Sequence, residues 1–250
     1  MSGHSKWSTI KRKKEANDNK RGKIFTKLVK EITTAARMGG GDADANPRLR
    51  AAIVTAKSSG MPADNIARAI KKGTGELEGA QVEELSFEGY GAGGVAFFIE
   101  TQTDNRNRTT AEIRHAFSKN NGNMGNSGSV GWMFHRHGQF AFDAERYNED
   151  DIMEIALEAG ADDVSIEDDT IIVLCDMKDF ATVLEYFDKN KVEYQSAELT
   201  MIPENQIDIA GKTIEQVLRL MEHLEDLDDV MKVYANFDMN SEDMEKITNG

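Results

Sequence analysis

The chain has 250 residues, 39% of them hydrophobic, with 30 Lys and Arg against 44 Asp and Glu, so its formal net charge is -14. That composition suits a polar-surfaced folded protein of one large or two to three small domains, and no apolar run approaches the ~20 residues of a membrane helix. A single cysteine, Cys175, rules out an internal disulfide and a thiolate metal cluster, and it fits a reducing cytoplasm.

The net charge hides a division. Residues 1–75 hold 17 Lys and Arg against 6 Asp and Glu, a net +11, whereas residues 76–250 hold 13 against 38, a net -25. A basic unit joined to an acidic body suggests one end that meets a polyanion and a remainder kept off it. Solvated charged faces are the competing reading.

Residues 1–22 contain Trp7 and Ile10 but little else apolar, so they predict a flexible basic arm. The arm lacks the apolar core of a secretory signal; a basic, amphipathic mitochondrial presequence is the alternative, against which the basic character runs on into helix. From residue 23, Ile24, Leu28, Ile32 and Ala35 recur at helical spacing up to Gly39. Asn46 then caps a second helix with Pro47 in its first turn, and Pro62 opens a third that Gly73 stops. Residues 23–78 therefore predict a three-helix bundle whose outer faces carry Lys27, Lys30, Arg37, Arg48, Arg50, Lys57, Arg68, Lys71 and Lys72.

Beyond a linker the pattern turns to mixed helix and strand. "VEELSFEGY" and "GVAFFIETQT" predict strands, and "TTAEIRHAFSKN" predicts a helix opened by a capping box of Thr109 and Glu112. Residues 132–203 read strand, helix, two strands, helix, strand, the order of a ferredoxin-like unit. The helix "KTIEQVLRLMEHLED" and strand "VMKVYANFD" lack partners of their own. Joined to residues 79–131, with "ENQIDIA" near the junction, they complete a second sheet. The expected fold is α+β and multidomain: the helical bundle, then two α/β domains. One is discontinuous (79–131 plus 204–240) and holds the 132–203 unit as an insertion; residues 241–250 form a tail.

Few motifs suggest chemistry. "GYGAGG" (Gly89–Gly94) matches a dinucleotide fingerprint, but "VAFFIE" after it is a strand, so a tight turn between antiparallel strands fits better. "HRHG" places His135 and His137 on one strand face, and two ligands do not make a zinc site. No nucleophile arrangement is present, so neither an enzyme nor a cofactor or metal is expected. Two stretches instead suggest a nucleic-acid surface. "DNRNRTTAE" sets Arg106 and Arg108 at a helix N-terminus, where amides favour phosphate; ordinary capping is the alternative. "NNGNMGNSGSVG" has four Gly and four Asn, which permit close approach to a partner; a plain linker is the alternative.

The segments "GHSKWSTIK", "KRGKIFTKLVKEIT", "AARMGGGD", "NPRLR", "MPADNIARAIKKG", "EGYGAGG", "TDNRNRT", "EIRHAFSKNNGNMG", "GSVGWMF", "AGADDV" and "MIPEN" follow one another along nearly the whole chain. Together they closely resemble the YebC/PmpR family, whose mitochondrial relative is the translational activator of cytochrome c oxidase. The resemblance implies a three-domain, cytoplasmic, bacterial protein. It implies DNA-binding transcriptional regulation on one view of the family. On the other it implies a ribosome-associated factor that helps elongation through difficult peptides such as proline runs. On that view the loop matching Asn121, Gly122, Asn123, Met124 and Gly125 reaches the peptidyl-transferase region and the tRNA end.

Charge and resemblance together select His4, Lys6, Trp7, Lys11, Arg12, Lys13, Lys14, Lys20, Arg21, Lys23, Lys27, Arg48, Arg50, Arg106 and Arg108 as the expected nucleic-acid contacts. No helix reads as a base-reading helix of a helix-turn-helix, and a basic arm suits RNA recognised by shape and backbone. Ribosomal RNA and tRNA on the ribosome are therefore the expected partners, with duplex DNA as the alternative and neither membrane nor small-molecule substrate expected.

Overall fold

The computed structural model describes residues 18–78, 82–167, 169–240 and 243. Two compact units emerge, one built from residues 21–78 and 136–201, the other from 82–135 and 202–240.

The first unit begins with three helices: α1 (Asp18–Gly39), α2 (Pro47–Ser58) and α3 (Ala63–Gly73). The backbone of helix α1 starts earlier than residue 23, at Asp18. Ile32, Ala35 and Ala36 of α1 close with Leu49, Ala52 and Ala56 of α2 and Ile66 and Ala69 of α3 into one core. Small residues dominate it, so the helices approach closely. Asn46 locks the corner as expected from its position before Pro47. Its Oδ1 accepts from the Leu49 amide at 3.1 Å, and its Nδ2 lies 2.9 Å from both Ala35 O and Gly40 O.

The same unit holds β4 (Phe134–Asp143), α5 (Glu149–Ala159), β5 (Asp163–Glu167), β6 (Thr170–Asp176), α6 (Phe180–Lys189) and β7 (Ser196–Pro203). Their sheet order is β5-β6-β4-β7, with the first and third strands in the middle. This is the ferredoxin-like arrangement expected from the element order. Phe140, Phe142, Ile171 and Val173 meet Ile152 and Ala156 of α5 and Val183, Leu184 and Phe187 of α6. Ala51 of α2 joins this core, and Arg50 Nε lies 3.1 Å from Asp188 Oδ2. The helical bundle and the inserted sheet thus share a unit, a contact invisible in local periodicity. Cys175 is buried here, and its thiol is pushed up to about 12 by burial and by Asp162 and Asp179, as suits an inert packing residue.

The second unit contains β1 (Glu83–Tyr90), β2 (Ala96–Thr103), α4 (Arg106–Lys119), β3 (Asn123–Met124), β8 (Ile207–Asp208), α7 (Lys212–Glu225), β9 (Val230–Ala235) and β10 (Phe237–Asp238). Its sheet runs β3-β1-β2-β9. β1 and β2 pair antiparallel across "GYGAGG", so those glycines turn a hairpin. Alternation along β2 sends Phe97 and Ile99 to the helices α4 and α7, and Phe98 to the opposite face beside Phe134 and Tyr234. Phe97 and Phe117 meet edge to face at 5.9 Å, and fully burying each ring contributes about 1.5–3 kcal/mol.

Three local expectations need correction. Helix α4 starts at Arg106, capped by Asn105, whose side chain accepts from the Arg108 amide. Thr109 is a buried residue inside the helix, so it cannot head a capping box with Glu112. "VMKVYANFD" is two strands, broken where Asn236 turns its side-chain oxygen to the Ala96 amide at 2.7 Å. Ile207–Asp208 pairs in parallel with Phe237–Asp238 as a separate two-stranded ladder, not within the larger sheet.

Candidate nucleic-acid interface

His4, Lys6, Trp7, Lys11, Arg12, Lys13 and Lys14 lie outside the described residues. Lys20 and Arg21 belong to the backbone of helix α1, not to an arm before it. Lys23, Lys27 and Lys30 follow at helical spacing along α1 and share one face. Lys23 is exposed and Lys27 and Lys30 are half-buried. Exposed Arg68, Lys71 and Lys72 on α3 and Lys57 on α2 add to the cationic surface of the bundle.

Several candidate arginines also have internal work. Arg48 grips both carboxylate oxygens of Glu31, at 2.7 and 3.0 Å, in a fork that ties α2 to α1. Arg50 Nη1 donates to Ala43 O and Asp44 O at 3.2 and 3.1 Å. Its Nε and Nη2 face Asp188 and Glu185 as ion pairs without hydrogen-bond alignment. Arg108 donates to Asp229 at 2.6 Å and to Asp104 at 2.8 Å. Those bonds, that to Asp229 foremost, hold the guanidinium well above its ordinary range. Asp229 is 4% exposed and also accepts from the hydroxyls of Thr103 and Thr109 at 3.0 and 2.8 Å. Arg108 is therefore a clamp between α4 and the turn before β9, while Arg106 at the start of the helix is exposed.

The Asn- and Gly-rich loop is a built structure. Asn120 ends α4 with its Nδ2 on Ala116 O at 2.8 Å and 3.0 Å from His223 Nδ1. Asn121 takes a left-handed backbone (φ 57), and Gly122 donates to Phe117 O at 2.8 Å. Any Cβ at Gly122 would stand 2.8 Å from the Phe117 ring and 2.9 Å from Tyr90 O, so only glycine lets the chain lie back on β1. Asn123 and Met124 then pair with Tyr90 and Gly89. The Met124 side chain is half-buried against the core of this unit, whereas Asn123 is exposed.

Glu88 organises the second half of the loop, from Gly125 to Gly131. Its side chain is 5% exposed, yet its carboxylate accepts three amides: Gly128 to Oε1 at 2.7 Å, Val130 to Oε2 at 2.6 Å and Gly131 to Oε2 at 2.7 Å. Its backbone carbonyl accepts a fourth from Gly125 at 2.8 Å. Burial would raise this carboxyl, but the amides of Val130, Gly128 and Gly131 together prevail and hold it below the usual carboxylate range. Ser129 O then accepts from Tyr90 Oη at 3.1 Å and from Trp132 Nε1 at 3.3 Å. No periodicity signals this arrangement. The only sequence trace is an acid immediately before the first glycine of "GYGAGG", facing a Gly-rich loop 40 residues on.

Among the described residues, no group of three or more His, Cys, Asp or Glu is placed to hold a metal ion, and no helix is long and apolar enough to cross a membrane. His135 and His137 stand at the start of β4, His135 exposed and 3.6 Å from Glu204.

Fold and surface define a mixed α+β protein with a cation-bearing helical bundle, an inserted ferredoxin-like sheet and a rigid glycine loop. The chain belongs to the TACO1/YebC family: the model of that family's N-terminal domain matches residues 5–76, and that of its second and third domains matches residues 82–237. A relative from Syntrophobacter fumaroxidans is 55% identical over 248 residues, covering 99% of this chain and all of its own length. One from Geobacter sulfurreducens is 56% identical over 247 residues, with coverage of 99% and 100%. Both are named probable transcriptional regulatory proteins. The crystal structure of a conserved hypothetical protein from Aquifex aeolicus matches with a TM-score of 0.83 at 44% identity, over 90% of this chain and 93% of that one.

Proposed function

We propose that this protein is a non-enzymatic regulator of gene expression that binds nucleic acid through its basic N-terminal segment and helical bundle. The observation that carries the reading is the division of charge, net +11 over residues 1–75 and -25 over the rest. Lys and Arg at phosphates release counterions and supply affinity without sequence information, while the acidic body repels the same polyanion. The names borne by the two relatives support transcription as the level of control and duplex DNA as the target.

A second target, structured RNA on the ribosome, is favoured by the loop from Asn121 to Gly131. A loop fixed by buried amide bonds and carrying exposed Asn123 suits entry into a confined site more than contact along a duplex. On this reading the protein is a translation factor. The cationic bundle holds ribosomal RNA, and the loop approaches the tRNA end to assist elongation through difficult peptides.

Recovery of the protein from cells after ultraviolet crosslinking tests both. Ribosomal RNA or tRNA fragments, together with co-sedimentation with ribosomes at low salt, support the translational target. A discrete DNA sequence protected against excess random duplex supports the transcriptional one. Recovery of neither nucleic acid refutes the proposal.

A further inference from the structure

We propose that Trp132 and Tyr90 form a stacking platform for an unpaired base of single-stranded RNA, an inference that rests on the nucleic-acid-binding reading above. Trp132 is 63% exposed and Tyr90 37% exposed, large apolar surfaces to leave wet. Neither ring is loose. Trp132 Nε1 and Tyr90 Oη both donate to one atom, the carbonyl oxygen of Ser129. Each ring is therefore held by its polar tip while aromatic surface remains open to solvent. The carbonyl is itself fixed, because the flanking amides of Gly128, Val130 and Gly131 are bound by Glu88.

That combination favours a planar aromatic ligand. A base stacking on a ring already held in place gains contact at little entropic loss, since Tyr and Trp have only two side-chain torsions. Asn123 pairs with Tyr90 across β3 and β1, so their side chains project from the same sheet face. It is exposed, and its amide offers both a donor and an acceptor to the edge of a base. A duplex hides all but its terminal base faces by stacking and so has little to offer the platform, whereas every base of a single strand is available to it. A proline-rich peptide also prefers aromatic surfaces, but it docks in a groove, and it has no base edge for Asn123 to read.

The test uses the parent full chain beside Trp132→Phe, and the difference in their indole emission isolates Trp132 from Trp7, the other of the two Trp in the sequence. An adenine oligoribonucleotide about twelve nucleotides long, a blunt duplex of equal length and a proline-rich peptide are titrated separately while indole emission is followed. The platform predicts quenching by the single strand and little by the duplex. Read by the anisotropy of a labelled oligonucleotide, Trp132→Ala should weaken single-strand binding by about 5- to 150-fold, the range seen when a stacking aromatic is truncated, and Trp132→Phe should restore most of it. Thermal unfolding confirms that each variant is folded, as expected for an exposed side chain. If the oligonucleotide binds with its ordinary salt dependence but neither emission nor Trp132→Ala alters, the platform is wrong and the broader reading survives. Quenching by the peptide alone also overturns it. If no nucleic acid binds at all, both fall.

Discussion

Glu88 offers the sharpest check on the loop architecture. Replacing it with Ala removes the acceptor of three amide hydrogen bonds of 2.6–2.7 Å from a side chain that is 5% exposed. A hydrogen bond to a charged group contributes about 1.5–3 kcal/mol, and the three are not additive because they share one carboxylate. The loop can also open and hydrate its amides, which limits the loss. A destabilisation of about 3–5 kcal/mol is expected, comparable to breaking a buried ion pair, and Glu88→Gln should lose about 2–3 kcal/mol because it keeps one oxygen and turns an NH2 toward the other amide donors. Urea unfolding measures this as a lowered midpoint at constant slope. Amide exchange at Gly128, Val130 and Gly131 should accelerate in both variants. The folded-state pKa of Glu88 lies below its ordinary value of 4.5. Its stabilising contribution is therefore complete above pH 4.5 and is lost as pH falls through the folded value, and Glu88→Gln should remove that part of the acid sensitivity. A Glu88→Ala protein less than about 1 kcal/mol weaker, with exchange at those amides unchanged, would refute the reasoning.

Three further outcomes rest on single residues. Asn46→Ala removes the α2 cap and two bonds to the end of α1, and should cost about 2–4 kcal/mol in chemical unfolding. Asp229→Ala removes the acceptor shared by the Thr103 and Thr109 hydroxyls and Arg108, while Thr109 keeps Asn105 O and Arg108 keeps Asp104, and should cost about 2–3 kcal/mol, seen as a lower thermal midpoint. Gly22→Ala should stabilise by up to about 1 kcal/mol, since Gly22 lies inside helix α1 and an added Cβ there meets nothing within 4 Å; a loss of stability would contradict helix at that position.

Much of the fold was legible because local signals agreed with the tertiary outcome. Asn46 before Pro47 marks a helix start that the structure uses, and "GYGAGG" between two strand patterns marks the hairpin of β1 and β2. The strand and helix order of residues 132–203 reads directly as the ferredoxin-like sheet. What escaped was settled by contacts distant in the chain. Glu88 sits in a strand where an acid reads as solvent-facing, and only the return of the loop buries it. Arg108 looks like a phosphate contact until Asp229, 121 residues later, comes alongside. Thr109 looks like a cap until Asn105 takes that role. The sparse apolar content of residues 1–22 suggests an arm up to residue 22, yet the backbone of α1 begins at Asp18. The candidate surface was legible as charge and as the Gly and Asn content of the loop, both properties of composition; the anchoring of that loop by Glu88 was not.

The salt dependence of nucleic-acid binding tests the central claim most directly. The logarithm of the affinity for structured RNA and for duplex DNA is plotted against the logarithm of salt concentration, for the parent chain and for one with Lys11, Arg12, Lys13 and Lys14 all changed to Gln. If these side chains sit at phosphates, the variant binds more weakly and its slope is shallower by roughly 3, each lost phosphate contact accounting for about 0.7–0.9. Equal slopes and equal affinities for the two chains would contradict a basic N-terminal grip on nucleic acid.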